Sequence, residues 1–140
     1  MRLWHEKLIP YLPRQQLLGQ HRECCALRGR GWGRKHATVD YVFAHEVEML
    51  VAYHFEIMDE MRKRGYKPDP IWYAASYRGT ILGNLAGWAN INKADYLRLE
   101  AKFKNRPIYP EHDDDYLHEC IENLENKGVD MSAAKEALYG

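Results

Sequence analysis

The sequence predicts an all-α protein, a single compact domain of three main helices plus a C-terminal helical addition. Apolar residues recur at helical spacing in several segments. No segment alternates polar and apolar residues convincingly, and Thr38–Phe43 comes closest to a strand. Glycines and prolines stand where those helical patterns stop. At 140 residues, 46% of them hydrophobic, the chain is long enough to bury a core without disulfide staples.

The opening segment contains Pro10 and Pro13 and reads as extended or turning. Pro13 suits the start of a first helix from about Arg14 to Leu27. Leu17, Leu18, Cys24, Cys25 and Leu27 supply its buried face, while Gln16, Gln20 and Glu23 recur on another. Gly29, Gly31 and Gly33 turn residues 28–36 into a basic loop with Trp32 inside it. The clearest helix runs from about His45 to Arg64, on a stripe of Val47, Leu50, Val51, His54, Phe55, Met58 and Met61, and Gly65 ends it. Pro68 and Pro70 break residues 66–91 into short pieces. A further helix is predicted from about Lys93, capped by Asn92, to a point before Pro107. An acidic helix follows from about Asp113 to Lys127, stopped by Gly128, and a short last one covers Ser132–Leu138. Residues 1–110 read as the core and residues 111–140 as an acidic helical extension packed on the same domain.

The net charge is zero, but it is unevenly spread. Residues 1–36 hold eight Lys/Arg against two acids, a net of +6, and residues 111–140 hold nine acids against two Lys, a net of −7. A basic body with an acidic tail is compatible with a nucleic-acid partner and equally with a neutral surface of scattered charge. No apolar run approaches the ~20 residues of a membrane span, and none follows the N-terminus as a signal peptide requires. Three cysteines, two of them adjacent, make no disulfide framework and point to a reducing, cytoplasmic setting, nucleoid-associated in a prokaryote. Cys24, Cys25 and Cys120 read as helix core residues, and His54 as a hydrogen-bonded core residue.

Several groups are candidates for chemistry. Glu23, beside Arg22, ends a polar face just before the basic loop. In that loop, glycines allow backbone N–H groups to approach phosphates, and Arg28, Arg30, Arg34 and Lys35 can neutralise them. Trp32 can stack on a base, or it can simply anchor a flexible loop. Arg98 and Lys102, four apart, share a helix face and can reach phosphate or remain ordinary surface cations. His112, Asp113, Asp114, Asp115, His118 and Glu119 suggest a divalent metal, but capping of the acidic helix is the simpler explanation.

The stretch Gln15-Gln16-Leu17-Leu18-Gly19-Gln20-His21-Arg22-Glu23 resembles the active-site helix of the phage-type pyrimidine-dimer DNA glycosylases, the "endonuclease V" excision enzymes. Gln15, Leu17, Arg22 and Glu23 match that helix. Arg34-Lys35-His36, Lys63-Arg64-Gly65, Arg98-Leu99 with Lys102, and Arg106-Pro107 match further blocks in the same order, so the likeness spans residues 1–109. It implies an all-α fold whose N-terminal arm threads between helices. It implies base excision from damaged double-stranded DNA and abasic-site lyase activity, with the chain's α-amine as nucleophile, no cofactor, no metal and no obligatory protein partner. On the matching positions Met1 supplies the amine, Glu23 handles protons and stabilises the sugar cation, and Arg22 orients the backbone at the lesion. Arg2, Gln15, Arg30, Trp32, Arg34, Lys35, Arg98 and Lys102 are the implied DNA contacts.

The chain departs from the family pattern in four ways. Bulky Arg2 stands where the family has a small residue, so Met1 is expected to be retained. Ala26 replaces an arginine, for which Arg28 or Arg30 can substitute. An acidic helix replaces the family's aromatic C-terminal segment. The net charge is zero rather than strongly basic. Two other functions fit the same residues: a catalytically silent nucleic-acid-binding protein of this fold, and a metal-dependent hydrolase using residues 112–119.

Overall fold

The computed structural model describes residues 2–35, 37–83, 101–103 and 107–140. The protein is all-α, and no strand occurs among the described residues. Met1, His36, the Asn92 cap, Arg98 and Arg106 lie outside the described residues, as does most of the helix predicted from Lys93.

The chain begins by burying itself. Leu3, Trp4, Leu8, Ile9 and Leu12 all belong to the main core. Where the sequence predicts extended or turning chain, residues Glu6–Tyr11 wind into a 3-10 helix with Pro10 inside it. The fixed φ of proline falls within the 3-10 range, so the ring is tolerated. The winding also brings Leu8, Ile9 and Leu12 into the core together.

Helix α1, Arg14–Arg28, follows Pro13 as anticipated and buries Leu17, Gln20, Cys24, Leu27 and Arg28. Gly29 closes it by donating to the Cys25 and Ala26 carbonyls. A Cβ at Gly31 would sit 2.7 Å from the Ala26 oxygen, so only glycine lets the chain fold back this closely. The strand-like Thr38–Phe43 stretch instead contains a short helix, α2, Asp40–Phe43.

Helix α3, Val47–Lys63, is the central element and packs against α1, α2 and the 3-10 helix. Contact on several sides explains why Leu50 through Phe55 are all buried, a wider face than the predicted stripe. Gly65, at φ 89°, donates to Arg62 O while Tyr66 donates to Met61 O, a Schellman ending. Arg64 then ties this end to the N-terminal segment through the carbonyls of Leu12 (2.7 Å), Pro10 (3.1 Å) and Ile9 (3.3 Å). Residues Pro70–Tyr73 form a second 3-10 turn.

Helix α4, Asp114–Asn126, starts at Asp113, whose carboxylate caps Tyr116 N–H at 2.9 Å. It ends at Gly128 in a second Schellman pattern. Helix α5, Ser132–Tyr139, packs on the first 3-10 helix. Leu117, Cys120, Ile121, Leu124, Met131 and Ala134 join the same core as the N-terminal arm. No helix among the described residues is long and apolar enough to cross a membrane.

Arg28 is the unexpected core residue, with a relative exposure of 0%. Its guanidinium donates to the carbonyls of Trp72 (2.7 Å), Ala74 (2.7 Å) and Tyr77 (3.3 Å) and to His54 Nδ1 (2.9 Å). It also stacks on the Trp72 ring at 5.0 Å. Burial pulls its pKa down to about 10. Arg28 therefore binds the 72–77 segment to α1 and is not available to phosphate. Replacing it with Met strands several buried acceptors, at a cost of about 3 kcal/mol. We expect Arg28→Met to lower Tm by roughly 10 °C while the salt dependence of DNA binding stays unchanged. A salt slope reduced by about one would instead mark Arg28 as a phosphate contact.

Burial pushes His5, His21 and His54 below the ordinary histidine pKa and takes His112 down to about 3. The unfolded chain takes up these protons near pH 6.5 while the folded chain refuses them. Their contribution to stability is therefore complete above about pH 6.5 and is lost as the pH falls toward the folded values. Each group contributes a slope of up to about 1.4 kcal/mol per pH unit in that window. Urea unfolding at pH 7, 6, 5 and 4 checks this, and His112→Gln should flatten the curve. Stability that is constant from pH 7 to 4 would contradict the burial of neutral histidines.

Candidate active site

Glu23 is half-buried on α1, one turn after Gln20, and the N-terminal arm lies across this face. Gln20 is 1% exposed, and its side chain joins the two. Its Oε1 accepts from Trp4 N–H at 2.8 Å. Its Nε2 donates to the Arg2 carbonyl at 2.9 Å and to Glu23 Oε2 at 2.9 Å. The Arg2 carbonyl and the Glu23 carboxylate are thus at most two hydrogen-bond lengths apart. Tyr53 on α3 donates to Trp4 O at 2.6 Å and lies 2.9 Å from Gln20 Oε1. Tyr116 on α4 donates to Leu3 O at 2.5 Å. A side chain from a helix satisfies each of these backbone groups, so the arm stays buried without a strand partner.

Arg2 projects from this arm. Its guanidinium is 3.5 Å from Glu119 and lies over the rings of Trp4 (5.7 Å) and Tyr116 (5.9 Å). It borders a pocket of about 280 Å³ with Ala37, Thr38, Tyr41, Glu111, Tyr116 and Glu119. The two carboxylates on that wall disfavour phosphate. The acidic extension thus reaches a residue assigned to DNA contact on sequence grounds. Arg22 and Gln15 are exposed on α1, and the Arg22 guanidinium passes beside Gly19, where a Cβ would lie 3.7 Å from Nη2.

The basic loop differs from its predicted role. The N–H groups of Gly31, Trp32 and Arg34 are spent on the carbonyls of Ala26, Gly29 and Gly31. A phosphate cradle built from these backbone donors is therefore ruled out in this conformation. Arg78 holds the loop's base through Arg28 O (2.9 Å) and Gly29 O (2.8 Å). Trp32 is half-buried, edge-on to Phe43 at 5.3 Å, and packs against the core. Arg30, Arg34 and Lys35 remain exposed. Of Arg28 and Arg30, only Arg30 is exposed. Lys102 is exposed, 3.3 Å from Glu48 and 3.8 Å from Glu46.

The metal cluster suggested at 112–119 is not assembled. His112 turns into the core, accepting from Glu6 N–H at Nδ1 (3.2 Å) and lying 2.7 Å from Tyr41 Oη. Asp113 is the α4 cap. Among the described residues, the ligand atoms that do converge belong to His21, Cys25 and His54, all within 4.8 Å of one another. Their hydrogen bonding does not suit a metal. Arginine only donates, so His54 Nδ1 accepts from Arg28, and neutral His54 must carry its proton on Nε2. That proton is donated to His21 Nδ1 at 2.8 Å. Metal-bound histidine needs the opposite tautomer, with its second nitrogen donating outward. Burial raises the Cys25 thiol pKa to about 11, further from the thiolate a metal requires.

Gln20, Tyr53 and Tyr116 complete the site, and the sequence pattern does not single them out as site residues. The available signal is the three-residue spacing of Gln20 and Glu23 on one helix face. No spacing connects Tyr53 or Tyr116 to the first four residues.

Of the residues around the arm, Gln20, Glu23 and Tyr53 lie in the N-terminal half of the chain, the half that matches a known family. A family described as pyrimidine dimer DNA glycosylase matches residues 1–74, which include the arm, α1 and α3. No curated protein and no solved structure matches the chain. The matched region covers more than half of the sequence and contains Glu23, Gln20 and the buried arm, so this chain belongs to the pyrimidine dimer DNA glycosylase family.

Proposed function

We propose that the protein excises a pyrimidine dimer, or a related damaged base, from double-stranded DNA and then cuts the abasic site through an imine on its N-terminal amine. One observation carries the reading: the arm and the Glu23 carboxylate are held by the same amide nitrogen of Gln20. An α-amine ordinarily titrates near pH ~8, so a useful fraction is neutral at pH ~7. Its lone pair attacks C1′ of the damaged nucleotide, and the base departs with the electrons of the glycosidic bond. The sugar ring opens, and loss of a proton from nitrogen gives the imine. Glu23 stabilises the cationic sugar and relays protons to and from it. Removal of a C2′ proton then expels the 3′ phosphate by β-elimination. Arg22, exposed beside Glu23, orients the sugar-phosphate backbone. Gln15, Arg30, Arg34, Lys35, Arg98 and Lys102 steady the DNA. Partial exposure of Glu23 supports access by substrate, and the mechanism draws no step from a metal or cofactor.

Incubating the protein with abasic-site duplex and borohydride in EDTA is expected to trap a covalent adduct. Mass spectrometry of its peptides should place the adduct on the first residue. Glu23→Gln and an N-terminal extension should each abolish trapping, with losses of roughly 100-fold or more. An adduct on a lysine, or trapping that survives the extension, would overturn the proposal.

A further inference from the structure

We propose that Gln20 is a positioning residue for the reaction proposed above, on which this assignment rests: it locks the N-terminal arm and the Glu23 carboxylate into one unit. The direction of its amide is settled by chemistry. Trp4 N–H can only donate, so the atom facing it must be the side-chain oxygen. The NH₂ group therefore faces the other way, with two protons for two acceptors, Arg2 O and Glu23 Oε2. The pairing is complete, and Gln20 is buried enough that water cannot replace either bond cheaply.

Two consequences follow. Displacing the arm breaks the same amide arrangement that aims Glu23, so amine and carboxylate approach a sugar together. The N–H donor also sits directly on Glu23 Oε2, so the Gln20 amide senses any change at that carboxylate. The Cys24 thiol on α1 interacts with it, Arg22 is its neighbour in the chain, and the Arg2 guanidinium on the arm turns to Glu119. Tyr53 on α3 lies behind Gln20, and Tyr116 and Glu119 on α4 lie around Arg2. Gln20 bridges the arm to Glu23 through a single nitrogen, so one side-chain change separates the two.

The test needs a signal independent of activity. In ¹⁵N-labelled full-length protein, the Gln20 side-chain amide resonances should move with pH as Glu23 titrates. Glu23→Gln should abolish that movement. With abasic duplex and borohydride, Gln20→Met should slow imine trapping by about 100-fold, with DNA affinity changed less than about threefold. Tyr73→Phe, which removes a hydrogen bond to Asp59 away from the arm, should lower Tm yet trap near the wild-type rate. Amide resonances indifferent to Glu23, or Gln20→Met trapping at wild-type speed, would overturn the assignment. A wild-type protein that forms no imine while its Gln20 resonances still follow Glu23 would instead overturn the reaction reading beneath it.

Discussion

The burial of the N-terminal arm is the constraint on which the rest of the structure depends. A buried segment with no strand partner and only a short 3-10 helix leaves much of its backbone to be satisfied by side chains, and each orphaned polar group costs free energy. Here Gln20, Tyr53 and Tyr116 take on that task from α1, α3 and α4. Arg64 does the same for the carbonyls of Ile9, Pro10 and Leu12. Three helices and an interhelical tie are therefore committed to holding the first twelve residues. That investment makes sense if the start of the chain has a job needing a fixed position, and it supports placing the chemistry there.

Helix α1 serves two ends with two faces. One face carries Gln20 and Glu23 toward the arm. The other carries His21, Cys25 and Arg28 toward α3 and the 72–77 segment. The Arg28–His54–His21 chain has its tautomers set by an arginine that can only donate, and it fixes the rotation of α1 about its axis. A rigid back face is what allows a front face to hold a carboxylate in one place, since catalytic geometry is sensitive to shifts of about 1 Å. His21 and His54 thus serve packing and hydrogen bonding, although their residue types suggest direct chemistry.

The acidic C-terminal helices share a core cluster with the N-terminal arm. They contribute Leu117, Cys120, Ile121 and Leu124 to the core and Tyr116 to the arm. The carboxylates of this acidic segment also reach the core segment: Glu119 pairs with Arg2, and Glu111, just before α4, hydrogen-bonds His45. These pairs are partly exposed and individually weak. Their effect is to divide the basic surface, leaving Arg30, Arg34 and Lys35 as exposed cations of the loop beside α1.

The sequence by itself determined the helical class and, among the described residues, the starts and stops of the long helices, and it offered Glu23 as a candidate. Those are local matters: Pro13, Gly29, Gly65, Asp113 and Gly128 act within a turn of their own positions, and apolar spacing marks a helix before any partner is known. Tertiary structure alone decided which polar residues turn inward. Arg28 reads as one more cation of a basic loop until the carbonyls of residues 72–77 arrive. His112 reads as a ligand until Glu6 and Tyr41 close around it. The glycine loop reads as a phosphate cradle until its N–H groups fold back on Ala26, Gly29 and Gly31. Each outcome depends on partners that the chain brings together only on folding, and a hydrogen-bond partner distant in sequence leaves no periodic trace.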